Sequence, residues 1–141
     1  MLQPEKRLRI QVRMTLGDAE GAYAELRPLL ERSPEDLDLR LAEADCLAGL
    51  EAWDSLAEHL EDLPEAAHQR SDYWHLKGLA AAQRRDLIPA REALERASQL
   101  APGDLRLVLD AGHACMDLAD HERAEVHWRQ ALRIDPQCAE A

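Results

Sequence analysis

Phenylalanine is absent from the 141 residues, and the aromatics that remain are three Trp and two Tyr. The apolar content is carried by Leu and Ala rather than by Phe, Ile and Val, which argues against strands and for helices. Cysteine occurs three times, at Cys46, Cys115 and Cys138. An odd, scattered set with no Cys-x2-Cys spacing excludes a disulfide framework and a zinc-ribbon pattern, and makes a reducing cytoplasm the expected location. No apolar run approaches 18 residues, so no membrane-spanning helix is expected. Residues 1–13 hold four basic residues and no apolar core segment, so they do not read as a secretory signal. Basic residues are in deficit, 17 against 28 acids, for a net charge of -11. Such a surface repels phosphates, which disfavours nucleic acid and anionic membrane as partners and favours a basic or amphiphilic one.

Catalytic signatures are also missing. The chain has no Gly-rich phosphate loop, no Gly-x-Ser-x-Gly and no His-Glu-x-x-His. Ser33, Ser55, Ser71 and Ser98 are expected at turns or helix surfaces without a matching base. His113 and Asp117, four apart, share a helix face, but acids and histidines are common on exposed helices and Cys115 points elsewhere. The chain is therefore expected to be no enzyme, with no catalytic residues, no resident metal and no cofactor.

What is present is a repeat. Pro102 and Pro136 stand 34 residues apart, and the same step carries Gly78 to Gly112, Asp86 to Asp120, Ala90 to Ala124, Leu94 to Trp128 and Ala97 to Ala131. One step back keeps Leu60, Trp53 and a small residue at Ala44 but loses the proline at His68. A further step puts Pro34, Leu26, Ala22 and Asp18 in register. Four repeats tile the chain, 3–36, 37–70, 71–104 and 105–138. A period of 34 is that of a two-helix unit that buries its core only by stacking on its neighbours.

The residues in these registers carry a family resemblance. Trp74, Lys77, Gly78, Ala81, Ala90, Leu94 and Pro102 in the third repeat, and Val108, Ala111, Gly112, Cys115, Ala124, Trp128 and Pro136 in the fourth, follow the pattern of the tetratricopeptide repeat. The chain resembles that family along nearly its whole length. The first helix departs from it, with Lys6, Ile10 and Arg13 where Trp, Gly and Tyr are usual. The resemblance implies an all-α, right-handed α-solenoid of about eight helices in a single domain 1–141.

The expected helices run from about Glu5 to Leu16, with Leu8, Val12 and Leu16 on one face, then through a second helix containing Ala22 and Pro28. A third spans about Pro34 to Gly49, and a short fourth about Ala52 to Leu63. A fifth begins after Ser71 as its cap, a sixth runs from Asp86 to about Leu100, a seventh from Asp104 to Leu118, and an eighth from Asp120 to Ile134. Gly17 is expected to end the first helix, and Pro28 to kink the second. Residues 139–141 open a fifth repeat in register, so a segment of a longer array is expected, or an end covered by a second copy.

The resemblance further implies that the leading helix of each repeat lines a concave groove for a peptide or a partner's helix. By register the groove holds Arg7, Leu8, Gln11 and Met14, then Asp38, Leu41, Ala42 and Asp45. It continues with Asp72, His75, Leu76 and Leu79, and with Arg106, Leu109, Asp110, His113, Met116 and Asp117. The apolar strip Leu41, Leu76, Leu79 and Leu109, flanked by acids, suits apolar anchors beside Lys or Arg. Leucine on a helix also serves as core, and aspartate as a solvated face, so both readings stand. Chaperone-binding members grip a carboxylate with Lys, Asn and Arg. Ala42, Asp72 and Leu76 occupy those later positions here and cannot do so. The expected function is a non-catalytic protein-interaction scaffold. The alternatives are a non-catalytic region of a larger enzyme or of a secretion, pilus or polysaccharide-assembly protein, and self-association through the repeat ends at Trp128 and Leu132.

Overall fold

A computed structural model describes residues 4–137; Cys138 and the fifth repeat expected at 139–141 lie outside the described residues. Among those residues there are eight α-helices and no strand. The chain divides into two compact units, Met1–Ala67 and His68–Ala141.

The first unit contains α1 (Pro4–Thr15), α2 (Ala19–Arg32), α3 (Leu37–Gly49) and α4 (Trp53–Glu61). Each helix packs on the next. The core gathers Ile10, Ala22, Leu26, Leu39 and Cys46, with Met14, Tyr23 and Leu29 closing over it. The face of α1 that carries Leu8, Val12 and Leu16 is not the one that meets this core. Leu8, Val12 and Leu16 are 62%, 47% and 77% exposed, whereas Ile10 is 5% exposed. The helix carries apolar side chains on two roughly opposite sides, Leu8, Val12 and Leu16 on one and Ile10 and Met14 on the other, since each residue turns the helix by about 100°. The buried side is the one that meets α2. Arg13, on the same inward side, is sealed by Asp18 at 2.7 Å and Glu25 at 3.2 Å.

The second unit contains α5 (Ser71–Gln83), α6 (Leu87–Leu100), α7 (Leu105–Asp117) and α8 (His121–Ile134), again each packed on the next. Small residues set the spacing. A Cβ added at Gly78 would stand 2.6 Å from Leu94 Cγ, and one at Gly112 would stand 3.0 Å from the Trp128 ring. Glycine therefore lets α5 approach α6, and α7 approach α8, with those large side chains filling the contact.

Several helix starts fall later than expected, because aspartate caps rather than opens the helix. Asp36 accepts from Asp38 N and Leu39 N, Asp104 from Arg106 N, and Asp120 from Arg123 N. The third helix accordingly begins at Leu37, not Pro34. Ser71 is the first residue of α5 rather than its cap; Arg70 holds the cap position, where its side chain does not cap the helix. Pro28 lies inside α2, exposed, with helix on both sides of it.

One turn recurs through both units. Gly17, Glu51, Arg85 and Ala119 each have positive φ, at 80°, 58°, 65° and 57°, and are spaced 34 apart. After each of them the chain closes the same bond: Asp18 N donates to Arg13 O, Ala52 N to Leu47 O, Asp86 N to Ala81 O, and Asp120 N to Cys115 O, at 2.7–3.0 Å. This is the Schellman stop of a helix, which satisfies carbonyls that the helix itself leaves open. The exception to regularity is α4. It ends at Glu61, Pro64 follows, and a short 3₁₀ turn at Glu65–Gln69 replaces its last turns. This is the repeat that has His68 in place of proline. Arg40 closes its end by donating to Asp62 O at 3.1 Å.

Candidate partner-binding surface

The second unit has a concavity of about 160 Å³ where α5, α6 and α7 meet. Its apolar part is formed by Leu79 and Ala82 of α5, Leu87, Ala90 and Leu94 of α6, and Ala114 of α7; Asp110, His113 and Asp117 add the polar part. Asp110, His113, Ala114 and Asp117 reach it together because residues three and four apart share a helix face. His75 of α5 bonds across to α7, with Nε2 at 2.9 Å from Asp110 Oδ2. His113 is exposed and lies edge-on to Trp128, ring centroids 5.1 Å apart. The exposed Asp117 and half-buried Asp110 leave this mouth negative.

The expected site residues divide. Leu79, Asp110, His113 and Asp117 meet around the concavity, and His75 holds Asp110. Leu109 is half-buried on α7 and Met116 is exposed, and neither lines it. Leu41 and Leu76 are corrections: each is only 3% exposed, so both are core and offer nothing to a partner. They extend inward because a leading helix has an apolar side to bury, and a leucine at a register position does not by itself say which side it is on. Asp72 is at the start of α5, within 3.5 Å of Arg70 Nη2. In the first unit, Asp45 is exposed on α3, Arg7 and Gln11 are exposed on α1, and Met14 packs on the core. Trp128 is half-buried under Gly112, and Leu132 is 38% exposed.

Sequence reasoning missed a second grouping in this unit. Glu95 of α6, Cys115 of α7 and His127 of α8 bring a carboxylate oxygen, a sulfur and a ring nitrogen within 4.8 Å of one another. Only the fold reveals it, because the three are 20 and 12 residues apart in sequence. Burial, and then the nearby Glu95 carboxylate, push the Cys115 thiol up from its ordinary value. In the first unit, burial pushes Cys46 up to about 11, so neither thiol is a ready nucleophile.

Helical hairpins repeated along the sequence, each turning at one recurring bend between its two helices and spaced by glycine and alanine, define an all-α repeat protein of the solenoid class. A tetratricopeptide-repeat family model matches residues 13–80 and a second matches residues 105–138, together more than half of the chain. The chain belongs to the tetratricopeptide-repeat family, whose members serve as protein-interaction scaffolds. Among solved structures, one of MamA is 18% identical with a TM-score of 0.72, covering 90% of this chain and 74% of that one. MamA from residue 41 to its end, from Desulfovibrio magneticus RS-1, is 20% identical with a TM-score of 0.74, covering 96% of this chain and 77% of that one. Likeness at this identity speaks for the fold. No curated protein matches the chain. None of the described helices is long and apolar enough to cross a membrane.

Proposed function

We propose that this chain is a non-catalytic adaptor whose second unit holds a partner segment by one apolar side chain with a Lys or Arg beside it. The observation that carries this reading is the concavity of α5, α6 and α7, apolar in its floor and edged by Asp110 and Asp117. At about 160 Å³ it is well below the roughly 300–1,000 Å³ of pockets that enclose drug-sized ligands. It suits a single anchoring side chain of a peptide. Charge around it, and the net charge of -11, favour a basic segment and disfavour a nucleic acid. His75 contributes by fixing the Asp110 carboxylate rather than by contact with the partner.

Selection from a random peptide display library tests this. Peptides that bind the full chain are expected to carry Lys or Arg next to Leu or Met, and to lose binding to Leu79→Asp and to Asp117→Lys. Selected peptides that lack basic residues, or that bind both variants as well as the parent, would refute the reading.

A second reading is favoured by exposed apolar side chains on α8, where Val126 is 63% and Leu132 38% exposed. Here copies associate through that helix. Sedimentation equilibrium of Val126→Glu with Leu132→Glu is the suitable comparison, because Trp128 is engaged with Gly112 and His113 and its replacement would disturb the fold.

A further inference from the structure

Three helices of the second unit each deliver one donor atom to the same place. His127 Nε2 stands 2.9 Å from Glu95 Oε2, and Cys115 Sγ stands 4.0 Å from that same oxygen. Cys115 is fully buried and His127 is 8% exposed. The Glu95 carboxylate is divided between two tasks. Its Oε1 faces Arg123 Nη1 at 3.1 Å and Arg91 Nε at 3.5 Å, while Oε2 faces the sulfur and the ring. The arginines thereby fix the orientation of the carboxylate and leave one oxygen turned inward.

A mixed sulfur, nitrogen and oxygen set is the choice of a borderline-soft divalent ion. Bonds of about 2.0–2.3 Å at tetrahedral angles put such donors roughly 3.3–3.8 Å apart. The two separations from Glu95 Oε2, 2.9 Å and 4.0 Å, fall on either side of that range, and all three donor atoms lie within 4.8 Å of one another. We propose that Glu95, Cys115 and His127 form a three-donor site for a divalent ion of the Zn2+ class, tying α6, α7 and α8 together with a fourth position left for an outside ligand. Cys115 gives up its proton to solvent and binds as the thiolate, Glu95 binds through Oε2, and His127 binds through Nε2.

Two features set the affinity as modest. The Glu95 carboxylate is already engaged by two guanidinium groups, those of Arg91 and Arg123, so an incoming dication has to share it with them. His127 Nδ1 is buried without a hydrogen-bond partner, so the ring lacks the acceptor that normally holds a metal-bound imidazole. The first feature is adjustable from outside, because the Arg123 side chain is 53% exposed. This site is independent of the peptide reading above, which can fail without affecting it.

The test is a Co2+ titration of the full chain carrying Cys46→Ala and Cys138→Ala, so that Cys115 is the one thiol. One equivalent is expected to produce sulfur-to-cobalt charge-transfer absorption, displaced by Zn2+ and lost in Cys115→Ser. His127→Gln is expected to weaken binding at least roughly 10-fold, and Arg123→Gln to tighten it by about the same factor. Helicity by circular dichroism confirms that each variant is folded. Absence of the charge-transfer band in the parent, or a band of equal strength and affinity in His127→Gln and Glu95→Gln, overturns the site and leaves these residues as an ion-pair network joining the helices.

Discussion

The leading helices of the two units, α1 and α5, do the same job with opposite chemistry. α5 follows the family pattern, with Trp74 and Gly78, and it buries Tyr73, Leu76, Gly78 and Ala80. α1 has Lys6, Ile10 and Arg13 at the corresponding positions, and among the residues described there it buries Ile10 alone. Gly78 admits Leu94 into contact with the α5 backbone, whereas Ile10 fills that position with its own side chain, and α1 packs less extensively on α2 than α5 does on α6. Arg13, where α5 has Ala81, forms ion pairs with Asp18 and Glu25. The register decides which face turns inward; the chemistry at the register positions decides how closely the helices meet.

The largest expected effect separates the two stripes of α1. Ile10→Ala removes a core side chain and is expected to cost about 2–5 kcal/mol. Leu8→Ala, Val12→Ala and Leu16→Ala, all exposed, are expected to stay within about 0.5 kcal/mol of the parent. Urea unfolding of the four variants decides it; a costlier Leu8→Ala would mean that the inward face is wrongly assigned.

The corresponding break in α5 is Gly78→Leu. The added side chain meets Leu94 and the carbonyl of Ala90, so a loss of about 1–3 kcal/mol is expected in thermal melts. Gly103→Ala is the contrast, since nothing lies within 4 Å of a Cβ there. Equal melting of the two variants would remove the close-approach argument from the second unit.

These two comparisons also show what the residues alone could tell. The period of 34 placed every helix to within a few residues, because it depends on many positions at once. Apolar spacing puts Leu8, Val12 and Leu16 on one face of α1, but spacing does not say whether that face is buried, and the structure buries Ile10 instead. The register that put Ile10 and Arg13 on the consensus positions already held the answer. Leu41 and Leu76 failed for a related reason, since spacing cannot distinguish a helix's core side from its groove side. In the concavity, Asp110, His113 and Asp117 were legible from one helix. The Glu95, Cys115 and His127 grouping was not, because it requires three helices to be in place.

A smaller effect distinguishes the turns. Gly17 is the single glycine among the four residues with positive φ; Glu51, Arg85 and Ala119 hold a conformation that disfavours a side chain. Replacement of each by Gly is expected to stabilise by about 0.5–1 kcal/mol, the relief of backbone strain being partly offset by a more flexible unfolded chain. Gly17→Ala is expected to destabilise by about 1 kcal/mol. Denaturant midpoints of the four variants check the signs. If Ala119→Gly destabilised the chain, strain at the recurring turn would not be the governing term.

The smallest effect belongs to the junction of α1 and α2. Asp18 accepts from Gly21 N at 2.9 Å and from Arg13 Nη1 at 2.7 Å, and these bonds hold its carboxyl below the ordinary value of 3.8. A carboxyl that is more acidic when folded contributes stability at pH above its unfolded value, and that contribution is lost as pH falls through the folded one. Asp18→Asn is therefore expected to lower the urea midpoint slightly near pH 6, and to converge with the parent as the pH drops below 3.8. A gap between Asp18→Asn and the parent that persisted unchanged into acid would point to lost packing at the junction rather than lost charge.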